Sequence, residues 1–172
     1  MSQPIEPLSR QFSARTAVKV VTDIVVFAGA AFLAAKTLGL VFIALYNLLG
    51  VEQRLSYALL YANWGKFYRT AELHTLLNLL VLAPLIETAL FCIVIWKVCA
   101  RLGLGIGAFI AISAVGFGVL HFRISIFSGL DALILGLLLA WIFARYVEKH
   151  IVVAFGVAAL THSAYNALVC LV

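Results

Sequence analysis

The stretch that decides the fold is Leu76–Ile95, which reads LLNLLVLAPLIETALFCIVI. A helix that crosses the hydrocarbon core of a bilayer needs about 20 mostly apolar residues, and this stretch meets that length. Its one charged residue is Glu87, and the next charge along the chain is Lys97. An ionisable side chain at bilayer depth costs about 3 kcal/mol or more on insertion scales. Glu87 is therefore the first candidate for a functional residue.

The composition of the whole chain indicates an integral membrane protein. Of the 172 residues, 65% are hydrophobic and 11% are charged, and the mean hydropathy is +1.14. Soluble domains carry about 25% charged residues. The net charge of +5 does not indicate nucleic-acid binding, because the basic residues flank apolar runs, as the positive-inside rule describes. The three cysteines lack zinc-binding spacing, which favours reduced thiols.

The apolar runs predict an all-α fold, a polytopic transmembrane helix bundle with about five spans. The predicted spans cover residues 24–50, 73–98, 104–122, 127–146 and 151–172. A sixth span is possible if the first region breaks near Lys36. Residues 1–23 are predicted to be a cytoplasmic N-terminal tail and residues 24–172 a single transmembrane domain. Segment 51–72 mixes aromatic and basic residues, which is typical of the membrane interface.

The distribution of lysine and arginine favours a cytoplasmic N-terminus. With five spans, seven basic residues lie inside: Arg10, Arg15, Lys19, Lys97, Arg101, Arg145 and Lys149. Four lie outside: Arg54, Lys66, Arg69 and Arg123. We therefore expect an integral protein of a bacterial inner (cell) membrane with its N-terminus in the cytoplasm.

Three polar residues on later spans accompany Glu87. His121 ends the third span, and His162 and Asn166 lie four residues apart on the fifth, on one helix face. Each side chain would be unfavourable against lipid, so we expect all of them to face one shared cavity. A carboxylate and imidazoles around a cavity suit hydrolysis, since they can accept a proton from water and stabilise an oxyanion. Glu87, His121 and His162 could in principle also ligate zinc.

These residues carry a resemblance to a known family. The order Pro84-x-x-Glu87-x-x-x-Phe91, Phe117-x-x-x-His121-Phe122 and His162-x-x-x-Asn166 resembles the CPBP family of intramembrane proteases. That family includes the type II CAAX prenyl endopeptidases and the bacteriocin-processing proteins often called Abi. The resemblance covers about residues 82–171 and includes Gly136 on the helix between the last two motifs.

The resemblance implies a function and a role for each residue. It implies an intramembrane endopeptidase that cleaves a membrane-associated protein or peptide substrate in or at the lipid bilayer. Glu87 would activate water, His121 would hold and polarise it, and His162 and Asn166 would form the oxyanion site. The chemistry would need either no cofactor or a divalent metal such as zinc. A nucleic-acid partner is not expected.

Two departures from the family pattern keep other functions open. The family usually has a second glutamate directly after the first and an arginine four residues further on, where this chain has Thr88 and Cys92. Their joint absence fits a repacked, working site, and it also fits a non-catalytic binding or immunity protein. Two further hypotheses are a haem held by His121 and His162, and a proton or ion pathway through Glu87.

Two other charged residues in the spans receive structural interpretations from the sequence. Asp131 is interpreted as an acid near the N-terminus of its helix, where the helix dipole favours it. Lys36 is interpreted as a snorkelling side chain or the mark of a helix break.

Overall fold

The described part of the chain is a bundle of five helices. The computed structural model describes residues 14–48, 72–124 and 126–171. The helices are α1 (Ala14–Leu48), α2 (Leu73–Arg101), α3 (Ile106–Phe122), α4 (Ile126–Val147) and α5 (Ile151–Leu171). No strand occurs within these ranges, so the predicted all-α class is confirmed. Four of the helices are long and apolar enough to cross a membrane, and α3, with 17 residues, lies at the short limit.

Helix α1 differs from its predicted outline. It runs without interruption past Lys36, so the break that would have added a sixth span does not occur. It also begins at Ala14 rather than at Ile24, which makes residues 14–23 of the predicted tail helical. Most of the predicted interfacial segment, residues 51–71, lies outside the described residues.

The early start of α1 has a physical reason in α4. Asp23 accepts a hydrogen bond from the Tyr146 hydroxyl and lies 3.7 Å from the Arg145 guanidinium. Within α1, Lys19 donates to the same carboxylate at 3.1 Å. Charges that looked like part of a solvated tail are therefore partners in a helix–helix contact.

The helix pairs α1–α4 and α3–α4 run antiparallel. Along α1 and α4, Asp23 contacts Tyr146, and Phe27 packs on Trp141 with ring centroids 5.0 Å apart. Across α3 and α4, a Cβ placed at Gly118 would meet Leu133 at 2.9 Å. Small residues at such crossings let helix backbones approach closely in lipid. The first residues of one helix therefore lie beside the last residues of the next.

One end of the bundle carries most of the described basic residues. This basic end, where α1, α3 and α5 begin and α2 and α4 finish, has six exposed Lys and Arg side chains. They are Arg15, Lys19, Lys97, Arg101, Arg145 and Lys149. The interior of this half is apolar: Trp96, Phe109 and Phe143 form an aromatic cluster with centroids 5.2 to 6.4 Å apart.

Helix α2 is widened twice, on either side of the turn that carries Glu87. Residues Asn78–Leu82 and Ala89–Val94 are π-helical, and Ala83–Thr88 between them is α-helical. A proline ring crowds the carbonyl of the residue four positions earlier. For Pro84 that residue is Leu80, which lies in the first π-helical segment. In the second, the Ser113 hydroxyl of α3 donates to the Phe91 carbonyl. Such widened turns often occur at functional sites.

Candidate functional site

A cavity of about 320 Å³ lies among the helices, and all five contribute to its wall. The four side chains predicted from the sequence line it: Glu87, His121, His162 and Asn166. Its volume is at the small end of ligand-binding pockets, which range from about 300 to 1,000 Å³. The lining is mostly apolar, so a bound molecule can form polar contacts at only a few positions.

His162 lies between two neighbouring residues of α2. Its Nε2 atom is 3.7 Å from Glu87 Oε2, and its Nδ1 atom is 3.5 Å from the Thr88 hydroxyl. The His162 side chain is 3% exposed and Glu87 is 25% exposed, so the imidazole is enclosed while the carboxylate still reaches the cavity. Thr88, at the position where the family has its second glutamate, therefore helps to orient this imidazole.

Cys92, which stands where the family usually has an arginine, does not leave a buried charge without a partner. The Cys92 side chain is buried in the apolar core within the second widened turn of α2. Among the described residues no buried side-chain nitrogen or oxygen lacks a hydrogen-bond partner. The glutamate and the arginine that the resemblance led one to expect are thus both absent, and the residues in their place, Thr88 and Cys92, are uncharged. Loss of a single partner would instead have left an unfavourable buried charge.

His121 is oriented by its own helix. Its Nδ1 atom lies 2.8 Å from the Phe117 carbonyl, one turn earlier. A carbonyl oxygen can only accept, so Nδ1 carries the proton of this bond and Nε2 of the neutral ring can accept a hydrogen bond. His121 also lies within electrostatic range of both Glu87 and His162.

Asn166 makes a hydrogen bond between helices. Its Nδ2 atom donates to the Leu79 carbonyl at 2.9 Å, in the first widened turn of α2. This bond stabilises a backbone carbonyl that a regular helix would have paired internally. A carboxamide has two N–H groups, and the second is the one that a substrate can use. Asn166 therefore shapes α2 as well as lining the cavity.

The Phe117 ring contacts both imidazoles. Its ring centroid is 4.7 Å from that of His121 and 5.5 Å from that of His162. Gly136 on α4 makes room for this arrangement, since a Cβ there would meet Phe117 Cβ at 2.9 Å.

The described residues contain no preformed cluster of metal ligands. In residues 14–48, 72–124 and 126–171, no three His, Cys, Asp or Glu side chains are grouped closely enough to hold a metal ion. Glu87, His121 and His162 are thus not arranged as a ligand set, and no chemical step below depends on a metal.

Two residues of the cavity wall were assigned structural roles by the sequence reasoning. Lys36 of α1 and Asp131 of α4 both line the cavity and lie within electrostatic range of each other. Asp131 is not in the first turn of its helix, so the N-terminal interpretation was wrong. The Lys36 ammonium lies 5.3 Å from the Phe32 ring centroid. A charge within an apolar run was the signal for Lys36, as it was for Glu87.

The cavity belongs to one half of the bundle. Its wall comes from the later halves of α1, α3 and α5 and from the earlier halves of α2 and α4. We call this the cavity end, opposite the basic end. The link between α3 and α4 contributes Ile124, which is 61% exposed, so the wall continues to the surface of the bundle.

Comparison with known families gives a match over the later helices. A family model described as type II CAAX prenyl endopeptidase Rce1-like matches residues 69–168. The match covers more than half of the chain and contains all four predicted site residues, while α1 precedes it. Comparisons with curated proteins and with solved structures give no match.

Proposed function

The chain belongs to the type II CAAX prenyl endopeptidase Rce1-like family, and on that premise we propose that it is an intramembrane endopeptidase. It would hydrolyse a peptide bond in a membrane-associated protein or peptide, using water activated by Glu87 and His121. The observation that carries the proposal is the shared cavity: three motifs far apart in the sequence contribute their polar side chains to one wall. The protein is an integral membrane protein, and the cavity lies among its membrane-spanning helices.

The first chemical step is the attack of water on the scissile carbonyl. His121 Nε2 accepts a hydrogen bond from the water, because Nδ1 is held by the Phe117 carbonyl. The Glu87 carboxylate then takes a proton as the oxygen attacks, and a positioned base of this kind contributes about 100- to 10,000-fold to the rate. The 25% exposure of the Glu87 side chain leaves it accessible to that water.

The second step needs donors for the oxyanion and a proton for the leaving amine. If the Thr88 hydroxyl donates to Nδ1 of His162, Nε2 carries a proton that can be donated into the cavity. The second N–H of the Asn166 carboxamide is the other donor. Glu87 returns its proton to the nitrogen as the C–N bond breaks, which leaves the catalyst in its starting state.

A non-catalytic binding protein is the second candidate function. The observation that favours it is the replacement of two charged family residues by Thr88 and Cys92. A cavity that no longer cleaves could still hold a membrane peptide. Cleavage itself distinguishes the two functions.

The test is cleavage of membrane-anchored reporter peptides co-expressed with the protein and analysed by mass spectrometry. The panel contains prenylated C-termini, bacteriocin-type leaders and membrane-anchored sorting tails. The variants are Glu87→Ala and His121→Ala, with Glu72→Ala as the matched control because its side chain is 80% exposed near the start of the same helix. The proposal expects a product with wild type and Glu72→Ala that disappears with both cavity variants. Product formation unchanged by Glu87→Ala would refute the assignment of the base, and binding of a reporter without any cleavage would favour the second candidate.

A further inference from the structure

Two features of the bundle indicate which face of the membrane the cavity opens to. One is the position of the cavity along the helices, and the other is the distribution of Lys and Arg. Helix ends alternate through the antiparallel bundle, so every link between helices belongs to one end or the other. The cavity wall belongs wholly to the cavity end. All six described basic residues of the basic end are exposed.

The cavity end carries few basic residues. In the described ranges its one Lys or Arg outside the cavity is Arg123, in the link between α3 and α4. Including residues outside the described ranges, the sequence assigns Arg10 to the basic end, and Arg54, Lys66 and Arg69 to the segment between α1 and α2. The excess remains at the basic end. Links rich in Lys and Arg stay in the cytoplasm, because they are the segments least readily moved across the membrane during insertion.

The acidic residues do not reverse this assignment. Asp23 offsets part of the charge of Lys19 and Arg145 at the basic end. Orientation, however, follows the count of Lys and Arg near the ends of spans and not the net charge, since Asp and Glu contribute little. Lys36 lines the cavity rather than a link, so it does not enter the count.

The cavity also approaches the surface at its own end. Ile124, in the link after α3, is part of the wall and is largely exposed. Val169 and Cys170, in the last turn of α5, line the wall as well. The wall includes no residue from the half of any helix that lies toward the basic end, where Trp96, Phe109 and Phe143 are packed together.

We propose that the cavity opens to the non-cytoplasmic face of the membrane, and that the substrate is an exported polypeptide segment at that surface. The substrate class rests on the proposed protease function, whereas the orientation of the cavity does not. A substrate at the cytoplasmic face would have to pass the packed aromatic half of the bundle to reach Glu87. A segment at the opposite face meets the wall at Ile124 and the end of α5.

The orientation can be tested without any cleavage assay. In a Cys170→Ser background, Ile124→Cys and Leu102→Cys place one accessible thiol at each end, because these side chains are 61% and 67% exposed. The remaining cysteines, Cys92 and Cys99, are buried. Intact cells are treated with a membrane-impermeant maleimide, before and after permeabilisation. The proposal expects Ile124→Cys to react in intact cells and Leu102→Cys only after permeabilisation.

The opposite labelling pattern, or equal reaction of both thiols in intact cells, would overturn the proposal. If neither cysteine variant accumulates or reacts, a second measurement determines the orientation. Alkaline phosphatase, which is active only after export, and a green fluorescent protein, which fluoresces only when folded in the cytoplasm, are each fused after Val172, beyond the end of α5. Phosphatase activity without fluorescence supports the proposal, and fluorescence without phosphatase activity refutes it. Neither result depends on catalysis, so a failure here leaves the endopeptidase proposal to its own test.

Discussion

The two halves of the bundle are built from the same five helices but contain different interiors. In the half toward the basic end, Trp96, Phe109 and Phe143 pack against one another between the helices. In the half toward the cavity end, the helices enclose about 320 Å³ lined by Glu87, His121 and other polar side chains. Close packing of one half can hold the helices in register while the other half keeps an open, polar space. Stability and chemistry should therefore respond separately to substitutions in the two halves.

The largest effect among the substitutions considered next is expected for Asn166→Ala in the cavity half. Loss of one oxyanion donor lowers kcat by about 100- to 1,000-fold in hydrolases. The control is Ser163→Ala, because the Ser163 hydroxyl bonds only to the Ala159 carbonyl of its own helix at 3.0 Å. Both variants are measured for kcat, KM and melting temperature in detergent. A fall in melting temperature with kcat retained would show that Asn166 only stabilises α2 through its bond to the Leu79 carbonyl, and would refute its role as an oxyanion donor.

A somewhat smaller effect, on stability rather than rate, is expected for Phe143→Ala in the other half. The ring is fully buried, and its removal leaves a cavity that should lower the free energy of unfolding by about 3 kcal/mol. We take the lower part of the usual range because the reference state is lipid rather than water. The control is Val152→Ala, whose side chain is 64% exposed. The cleavage rate per folded molecule should stay at the wild-type value, and a selective loss of rate would break the division between the halves.

Gly136→Ala tests how far the halves are coupled through α3 and α4. The added Cβ would meet Phe117 Cβ at 2.9 Å and Ala114 Cα at 3.2 Å, and neither atom can rotate away. Overpacking of this kind destabilises by about 1–3 kcal/mol. Because Phe117 contacts both imidazoles, the cleavage rate should fall as well. Gly156→Ala, with no atom within 4 Å of its added Cβ, is the control and should leave both quantities close to wild type. A Gly136→Ala protein with wild-type stability would show that α3 and α4 separate freely.

The smallest effect is expected from the pair Lys36 and Asp131. Removing either charge should lower stability more than removing both, with a coupling free energy of about 1 kcal/mol in a double-mutant cycle. The cycle compares Lys36→Met, Asp131→Leu and the double variant by denaturant midpoint in detergent. Strictly additive effects would show that the two charges do not interact.

The sequence predicted the helical class and the spans well because a bilayer imposes length and hydropathy directly on the chain. Glu87, His121, His162 and Asn166 were found because polar groups in apolar runs require an explanation. Lys36 and Asp131 were not, since a lysine within a long span can also snorkel, and an acid near the start of a span can favour the helix dipole. Whether the Lys36 and Asp131 side chains face the cavity depends on how α1 packs against α4, and the sequence alone does not specify that packing.

The widened turns of α2 were also beyond prediction, although Pro84 was visible. The carbonyls of Leu79 and Phe91 are paired by Asn166 and Ser113, which come from two other helices. A local pattern cannot reveal a partner that is far away in the chain. The early start of α1 has the same cause, since the partners of Asp23 include Arg145 and Tyr146.

The most direct test of the central claim is the cleavage rate of purified Glu87→Gln, measured together with its melting temperature. The amide keeps the shape of the side chain and removes the base. We predict a rate at least about 100-fold below that of wild type, with the melting temperature close to wild type because the packed half is untouched. Cleavage by Glu87→Gln at the wild-type rate would contradict the account.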